Sequence, residues 1–275
     1  MPRIEIEGTE LEYIERGEGE PVVLVHGTLG DYRSWELQME PFAKNYRVIS
    51  YSRRYHHPNT CSEDESGYSA ALHADDLAAF LTGLGLDSAH IVGNSYGAYT
   101  ALFLAVRHPE KVRTLVLGEP PVFPLLDAVP EGRNLRDEFL ETVWKPAGEI
   151  LQRGAMEDGI RLFVDGVAGE GAFDSFPAQV RTLIMDNGCE FKKETSSPDF
   201  WTQFTREDAR GITKPTLLLT GEKSLRMFQL IVQELAHRIP NNEFIILPDS
   251  THEMPADNSE GYNETVLAFL SKHSA

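Results

Sequence analysis

Ala89-His90-Ile91-Val92-Gly93-Asn94-Ser95-Tyr96-Gly97-Ala98-Tyr99-Thr100-Ala101 reads as a short apolar strand, a Gly-x-Ser-x-Gly turn and the start of an alanine-rich helix. A strand that turns this sharply into a helix strains its central serine and brings neighbouring chains close, so the flanking positions favour residues without a large Cβ substituent. Gly93 and Gly97 meet that requirement. The serine hydroxyl then projects above a sheet, and the helix beginning beside it aims free N–H groups and the positive end of its dipole at the same point. Ser95 is therefore a candidate nucleophile with donors for an oxyanion beside it. A glycine-rich turn with an incidental serine is the plain alternative.

Outward from this turn the chain alternates. Val22-Val23-Leu24-Val25 is an unbroken apolar run of the kind a strand buried on both faces requires. Similar runs recur at 46–51, 89–92, 112–117, 216–219 and 243–247, and helical patterns lie between them at 70–81, 96–107, 228–238 and 260–271. Strand and helix in alternation predict βαβ units, a mostly parallel sheet and helices on both faces. Ile4, Ile6, Leu11 and Tyr13 alternate with acids around Gly8-Thr9, which predicts an antiparallel hairpin at a sheet edge.

The alternation fails from about Pro120 to Gly211. Helix-compatible pieces at 134–144, 158–167 and 177–185 predict an inserted helical lid over residues 120–211, with 1–119 and 212–275 forming the core. Degenerate βα units in that stretch are the alternative.

The 275 residues carry 25 basic and 43 acidic side chains, a formal charge of −18. A field of that sign repels phosphate backbones and anionic membrane surfaces, so nucleic-acid and membrane partners are poor expectations. Hydrophobic residues at 41% and charged residues at 25% are ordinary for a globular chain able to bury a large core. Cys61 and Cys189 are too few for a disulfide framework, have no metal-ligand spacing around them, and leave one optional bridge open. The start shows no secretory pattern and no apolar run reaches the roughly 20 residues needed to span a bilayer, so a cytoplasmic protein is expected.

A serine at its free pKa is a weak nucleophile, and acyl transfer needs a base within hydrogen-bond reach. Among nine histidines, His252 follows a predicted strand in Pro248-Asp249-Ser250-Thr251-His252, the loop leaving its C-terminal end, where catalytic groups gather in open α/β sheets. It is the candidate base.

His26-Gly27-Thr28-Leu29-Gly30 after the third strand, the elbow at Ser95, and Thr251-His252-Glu253-Met254 before a last helix together resemble the α/β-hydrolase superfamily over nearly the whole length. The resemblance implies an α/β fold with an eight-stranded, mostly parallel sheet and an inserted helical cap. It also implies that the His26-Gly27 loop shapes an oxyanion hole, with the backbone N–H of Thr28 as one donor, Leu29 as its substitute, and Tyr96 as the other.

The acid is where this sequence departs from the family. Members usually carry an Asp after the seventh strand, where Thr220-Gly221-Glu222-Lys223-Ser224-Leu225 has Ser224. Some relatives take the carboxylate from the end of the sixth strand, which points to Glu119 in Leu117-Gly118-Glu119-Pro120-Pro121. Glu222 and Asp249 remain alternatives, and a solvated loop acid is the plain reading of Glu119.

Tyr51-Ser52-Arg53-Arg54-Tyr55-His56-His57-Pro58-Asn59 departs from the family's Gly-rich loop. No acid or cysteine pattern accompanies His56 and His57, so no metal is expected; Arg53 and Arg54 should pair with acids while Tyr55 and the histidines fold the loop. Phe123, Phe139, Trp144, Phe163, Phe173, Phe176 and Trp201 should mostly pack the lid itself, with two or three reaching substrate. Asp137, Glu138, Glu141, Glu157 and Asp158 read as solvated helix faces.

The expectation is a cofactor-free serine hydrolase of a small or medium, largely apolar ester or lactone. A serine elbow argues against haloalkane dehalogenases and epoxide hydrolases, which place an Asp there. Carbon–carbon bond hydrolases and thioesterases remain open, as does a receptor-like small-molecule binder on the same fold. The sequence leaves the oligomeric state open, a homo-oligomer included.

Overall fold

Arg3–Ile6 (β1) and Thr9–Arg16 (β2) form the expected hairpin at one edge of the sheet, in a computed structural model that describes residues 1–6, 8–61 and 67–274. Pro21–Val25 (β3), Arg47–Tyr51 (β4), Ala89–Asn94 (β5), Val112–Gly118 (β6), Thr216–Gly221 (β7) and Asn242–Leu247 (β8) complete eight strands in the order β1-β2-β4-β3-β5-β6-β7-β8. From β4 to β8 all pairings are parallel, and β2 joins β4 antiparallel.

Every residue of β3 is buried, and the period of two decides where each side chain goes. Val23 and Val25 enter one apolar cluster with Ile91 and Leu117, while Val22 and Leu24 enter a second with Val92 and Val116. Helices cover both faces because both are apolar. Glu36–Ala43 (α1) follows β3, Ala70–Gly83 (α2) follows β4, and Tyr96–Arg107 (α3) follows β5 with the bounds read from the sequence.

Between β6 and β7 the chain forms Pro130–Phe139 (α4), Lys145–Gln152 (α5), Met156–Ala168 (α6), Ala172–Ser175 (α7), Ala178–Asp186 (α8), Gly188–Ser196 (α9) and Arg206–Gly211 (α10), with no strand among them. The piece read at 134–144 is α4 running into a wider, π-type turn at Leu140–Trp144. Helix α9 has no counterpart in the sequence reading. Arg226–Ala236 (α11) follows β7, and Met254–Asp257 (α12) and Ser259–Lys272 (α13) follow β8. Among the described residues no helix is long and apolar enough to cross a membrane.

Candidate active site

The turn after β5 is as tight as its glycines imply. A Cβ on Gly97 would collide with the Val25 carbonyl oxygen, and one on Gly93 would lie 2.6 Å from the Ala98 nitrogen. Ser95 itself sits at φ 54°, ψ −127°, a conformation costing on the order of 1–3 kcal/mol that the surrounding strands must hold. Its N–H donates to the Gly118 carbonyl of β6 at 2.7 Å. Ser95 and His252 line the same cavity.

Glu119 leaves the end of β6 at φ 44° and is fully buried. One carboxylate oxygen accepts the Thr220 hydroxyl at 2.5 Å and the Gly221 N–H at 3.0 Å, both at the end of β7. The other accepts His252 Nδ1 at 2.6 Å. With Nδ1 committed to the carboxylate, Nε2 is the basic nitrogen of the neutral ring. Phe228 stacks on the imidazole with centroids 4.4 Å apart, and Asn94 Nδ2 donates to the His252 carbonyl at 3.2 Å. Burial, the largest influence, pulls the His252 pKa down, but the Glu119 hydrogen bond and charge outweigh it and hold it above the ordinary imidazole value.

The other acids considered lie elsewhere. Glu222 accepts the Asp249 N–H at 3.0 Å in an exposed position, and Asp249 pairs with Lys223 at 2.7 Å. Ser224 is buried where an acid after β7 would stand. Thr220, not singled out from sequence, anchors Glu119 through its hydroxyl.

The His26-Gly27 loop abuts the serine: a Cβ on Gly27 would lie 3.5 Å from Ser95 Oγ. Its Gly27 carbonyl accepts from Arg53 Nη2 at 3.1 Å and His26 Nδ1 at 2.9 Å. Thr28 lines the cavity, and Tyr96 is the first residue of α3. Leu29 does not serve as the substitute donor, because its N–H is bound at 2.6 Å by Glu190 of α9.

The loop after β4 differs from expectation in two respects. Arg54 pairs with Asp76 at 2.6 Å, as expected, whereas Arg53 is buried and directs its donors to the His26 and Gly27 carbonyls and the Tyr68 hydroxyl. His56 does acquire acidic neighbours, Glu190 and Glu194, brought by a helix remote in sequence. His56 Nε2, Glu190 Oε2 and Glu194 Oε1 all converge on the Tyr68 hydroxyl, at 3.2, 3.1 and 2.7 Å, so a protein group fills the centre of the trio. Burial holds the imidazoles of His26 and His56 well below their usual pKa. Cys61 and Cys189 form a disulfide that ties the same loop to α9.

A cavity of about 890 Å³ opens over Ser95 and His252, within the usual size of small-molecule sites. Six of the seven aromatic residues read from the sequence line it; Phe173 instead packs under Arg161. Phe200, missed in the sequence, also lines the cavity and stacks on Trp144 and Tyr96.

A family model described as the alpha/beta hydrolase fold matches residues 20–153. The uncharacterized hydrolase YraK of Bacillus subtilis is 31% identical over 144 residues, 52% of each chain, so that match spans about half of the relative. The non-heme chloroperoxidase CPO-A1 of Kitasatospora aureofaciens is 27% identical over 285 residues, covering 97% of this chain and 98% of that protein. The solved structure of an N-acyl homoserine lactone degrading enzyme is 25% identical, covers 98% of this chain and 100% of its own, and superposes with a TM-score of 0.74. With the strand order, the serine elbow and these likenesses in agreement, the chain belongs to the α/β-hydrolase superfamily.

Proposed function

We propose that the protein is a serine hydrolase that cleaves a small or medium, largely apolar carboxylic ester or lactone through an acyl-enzyme. The observation that carries this reading is the 2.6 Å bond between His252 Nδ1 and Glu119 beside a cavity that also exposes Ser95. Ser95 Oγ attacks the acyl carbon and gives its proton to His252 Nε2, while Glu119 stabilises the imidazolium. The Thr28 and Tyr96 amides hold the oxyanion. His252 then protonates the leaving alkoxide and activates the water that releases the acid. The helices between β6 and β7 act as a cap whose aromatic side chains hold the apolar part of the substrate.

The likeness to a lactone-degrading enzyme supports lactones within this class. Glu119 at the imidazole supports an active enzyme over a receptor-like binder on the same fold. The test combines a fluorophosphonate probe with a series of p-nitrophenyl esters. Stoichiometric labelling of Ser95 together with multiple turnovers is expected. Tight reversible ligand binding with no labelling would replace the enzyme by a binder, and turnover confined to thioesters or carbon–carbon substrates would change the substrate class.

A further inference from the structure

Glu190 and Glu194 stand one turn apart on α9, fully buried, and both reach the Thr28–Leu29 segment of the His26-Gly27 loop. Buried carboxyl groups in pairs are costly unless hydrogen bonds and a counter-charge satisfy them, so their contacts bear on what they do. Glu190 Oε1 accepts the Leu29 N–H at 2.6 Å, which fixes the Thr28–Leu29 peptide. Glu194 Oε1 accepts the Thr28 hydroxyl at 3.0 Å, which fixes the side chain between the two peptides. On the other flank the Gly27 carbonyl is held by Arg53, and planarity of the trans peptide then turns the Thr28 N–H the opposite way. Leu29 is left at φ 57°, a strained conformation that needs such anchors.

We propose that Glu190 and Glu194 are positioning residues, which hold the Thr28–Leu29 turn so that the Thr28 N–H is presented to the oxyanion. The inference rests on the serine-hydrolase reading above.

The pair performs this role with a shared proton. Tyr68 has one hydroxyl hydrogen and three acceptors around it, Glu190 Oε2, Glu194 Oε1 and His56 Nε2, while His56 Nδ1 donates to the Gly30 carbonyl at 2.7 Å. A second proton, carried by a carboxyl group, would supply the donor these acceptors lack; Glu190 Oε2 lies 3.4 Å from His56 Nε2, and Glu194 Oε2 is buried without a hydrogen-bond partner among the described residues. Arg53, His26, His73, Tyr96 and, against the Tyr68 ring, Tyr55 are further charged and titratable groups packed around it. Burial, then the charge of Glu194, hold the Glu190 carboxyl well above the carboxylate range, and burial lifts Glu194 to about 7, against the pull of Arg53. Losing the shared proton sets two negative charges side by side behind the oxyanion loop.

The experiment compares E190A, E194A, E190Q and E194Q with p-nitrophenyl butyrate as substrate and an aryl trifluoromethyl ketone, whose serine adduct carries an oxyanion, as inhibitor. Misplacing an oxyanion donor should cut kcat about 10- to 100-fold in the alanine variants with KM changed less than about twofold. Ketone affinity should fall by the same factor, and glutamine, which keeps the acceptor oxygen, should recover most of kcat. Unchanged ketone affinity, KM rising in step with the loss, or a kcat loss under about twofold overturns the proposal. Should the alanine variants fail to fold, the glutamine variants decide: the wild type loses kcat on the alkaline side as the pair deprotonates and E194Q does not, whereas superimposable profiles overturn it. A wild type that a fluorophosphonate leaves unlabelled sinks the hydrolase reading and this inference with it; labelling with unaffected glutamate variants sinks this inference alone.

Discussion

His252 and Glu119 are 133 residues apart in the chain and 2.6 Å apart in space, joined by a hydrogen bond between Nδ1 and Oε2. The geometry depends on β6, β7 and β8 lying side by side, since Glu119 ends the first, Thr220 and Gly221 anchor it from the second, and His252 follows the third. Removing the charge while keeping the shape should therefore be specific. Glu119→Gln should fold normally and lose about 10³- to 10⁴-fold in kcat on p-nitrophenyl esters, while Glu222→Gln stays within about twofold of wild type. The reverse pattern would reassign the acid.

The same pair sets a pH profile. His252 must be neutral to accept the serine proton, and Glu119 holds its pKa above the ordinary imidazole value. The acid limb of kcat/KM should therefore titrate above about 6.5, and in the Glu119→Gln variant it should move to lower pH, read from stopped assays between pH 4.5 and 8 in which enzyme stability is checked separately. A limb that does not move would detach the imidazole from this carboxylate.

The Glu190–Glu194 pair should contribute less to stability as pH increases from the acidic range toward neutrality. Glu190 and Glu194 keep a proton in the folded protein that the unfolded chain releases near the usual carboxylate value, so their contribution is present at low pH and lost as pH rises toward 7 and beyond. Thermal unfolding at pH 8 should show Glu194→Gln melting roughly 3–8 °C above wild type, with the advantage gone at pH 5. Equal melting temperatures at both values would mean that the pair carries no shared proton.

The disulfide between Cys61 and Cys189 closes a loop with a sequence separation of 128 residues and clamps α9 to the loop after β4. Reduction, or Cys189→Ser, should lower stability by about 2–4 kcal/mol in chemical unfolding, and mass spectrometry of the untreated protein should find no alkylatable thiol. Two free thiols in the native protein would refute the bridge. Such a bond persists most readily in oxidising surroundings, so the unfolding experiment is run without reductant.

What could be read from the sequence follows how local each signal is. The elbow at Ser95 and the strand β3 announce themselves through adjacent residues, and the helix α3 was bounded correctly because its caps and apolar face are contiguous. Glu119 was reached through its place at the end of a strand plus a family resemblance, and the missing acid after β7 sharpened the choice. Glu190 and Glu194 were not reached. Two acids four residues apart on a helix look like a solvated face, and the groups that make them otherwise, Tyr68 and the Thr28–Leu29 turn, lie more than 120 positions away.

Helix α9 is bolted to the core by a disulfide, by Asn187 reaching Asp31 and His57, and by its two buried acids. The cavity is lined by other elements, and at its rim Leu37 and Val180 stand 53% and 39% exposed. An engineer wishing to admit bulkier molecules should recut that rim and leave α9 alone, because changes there would loosen the Thr28–Leu29 turn that its two acids grip.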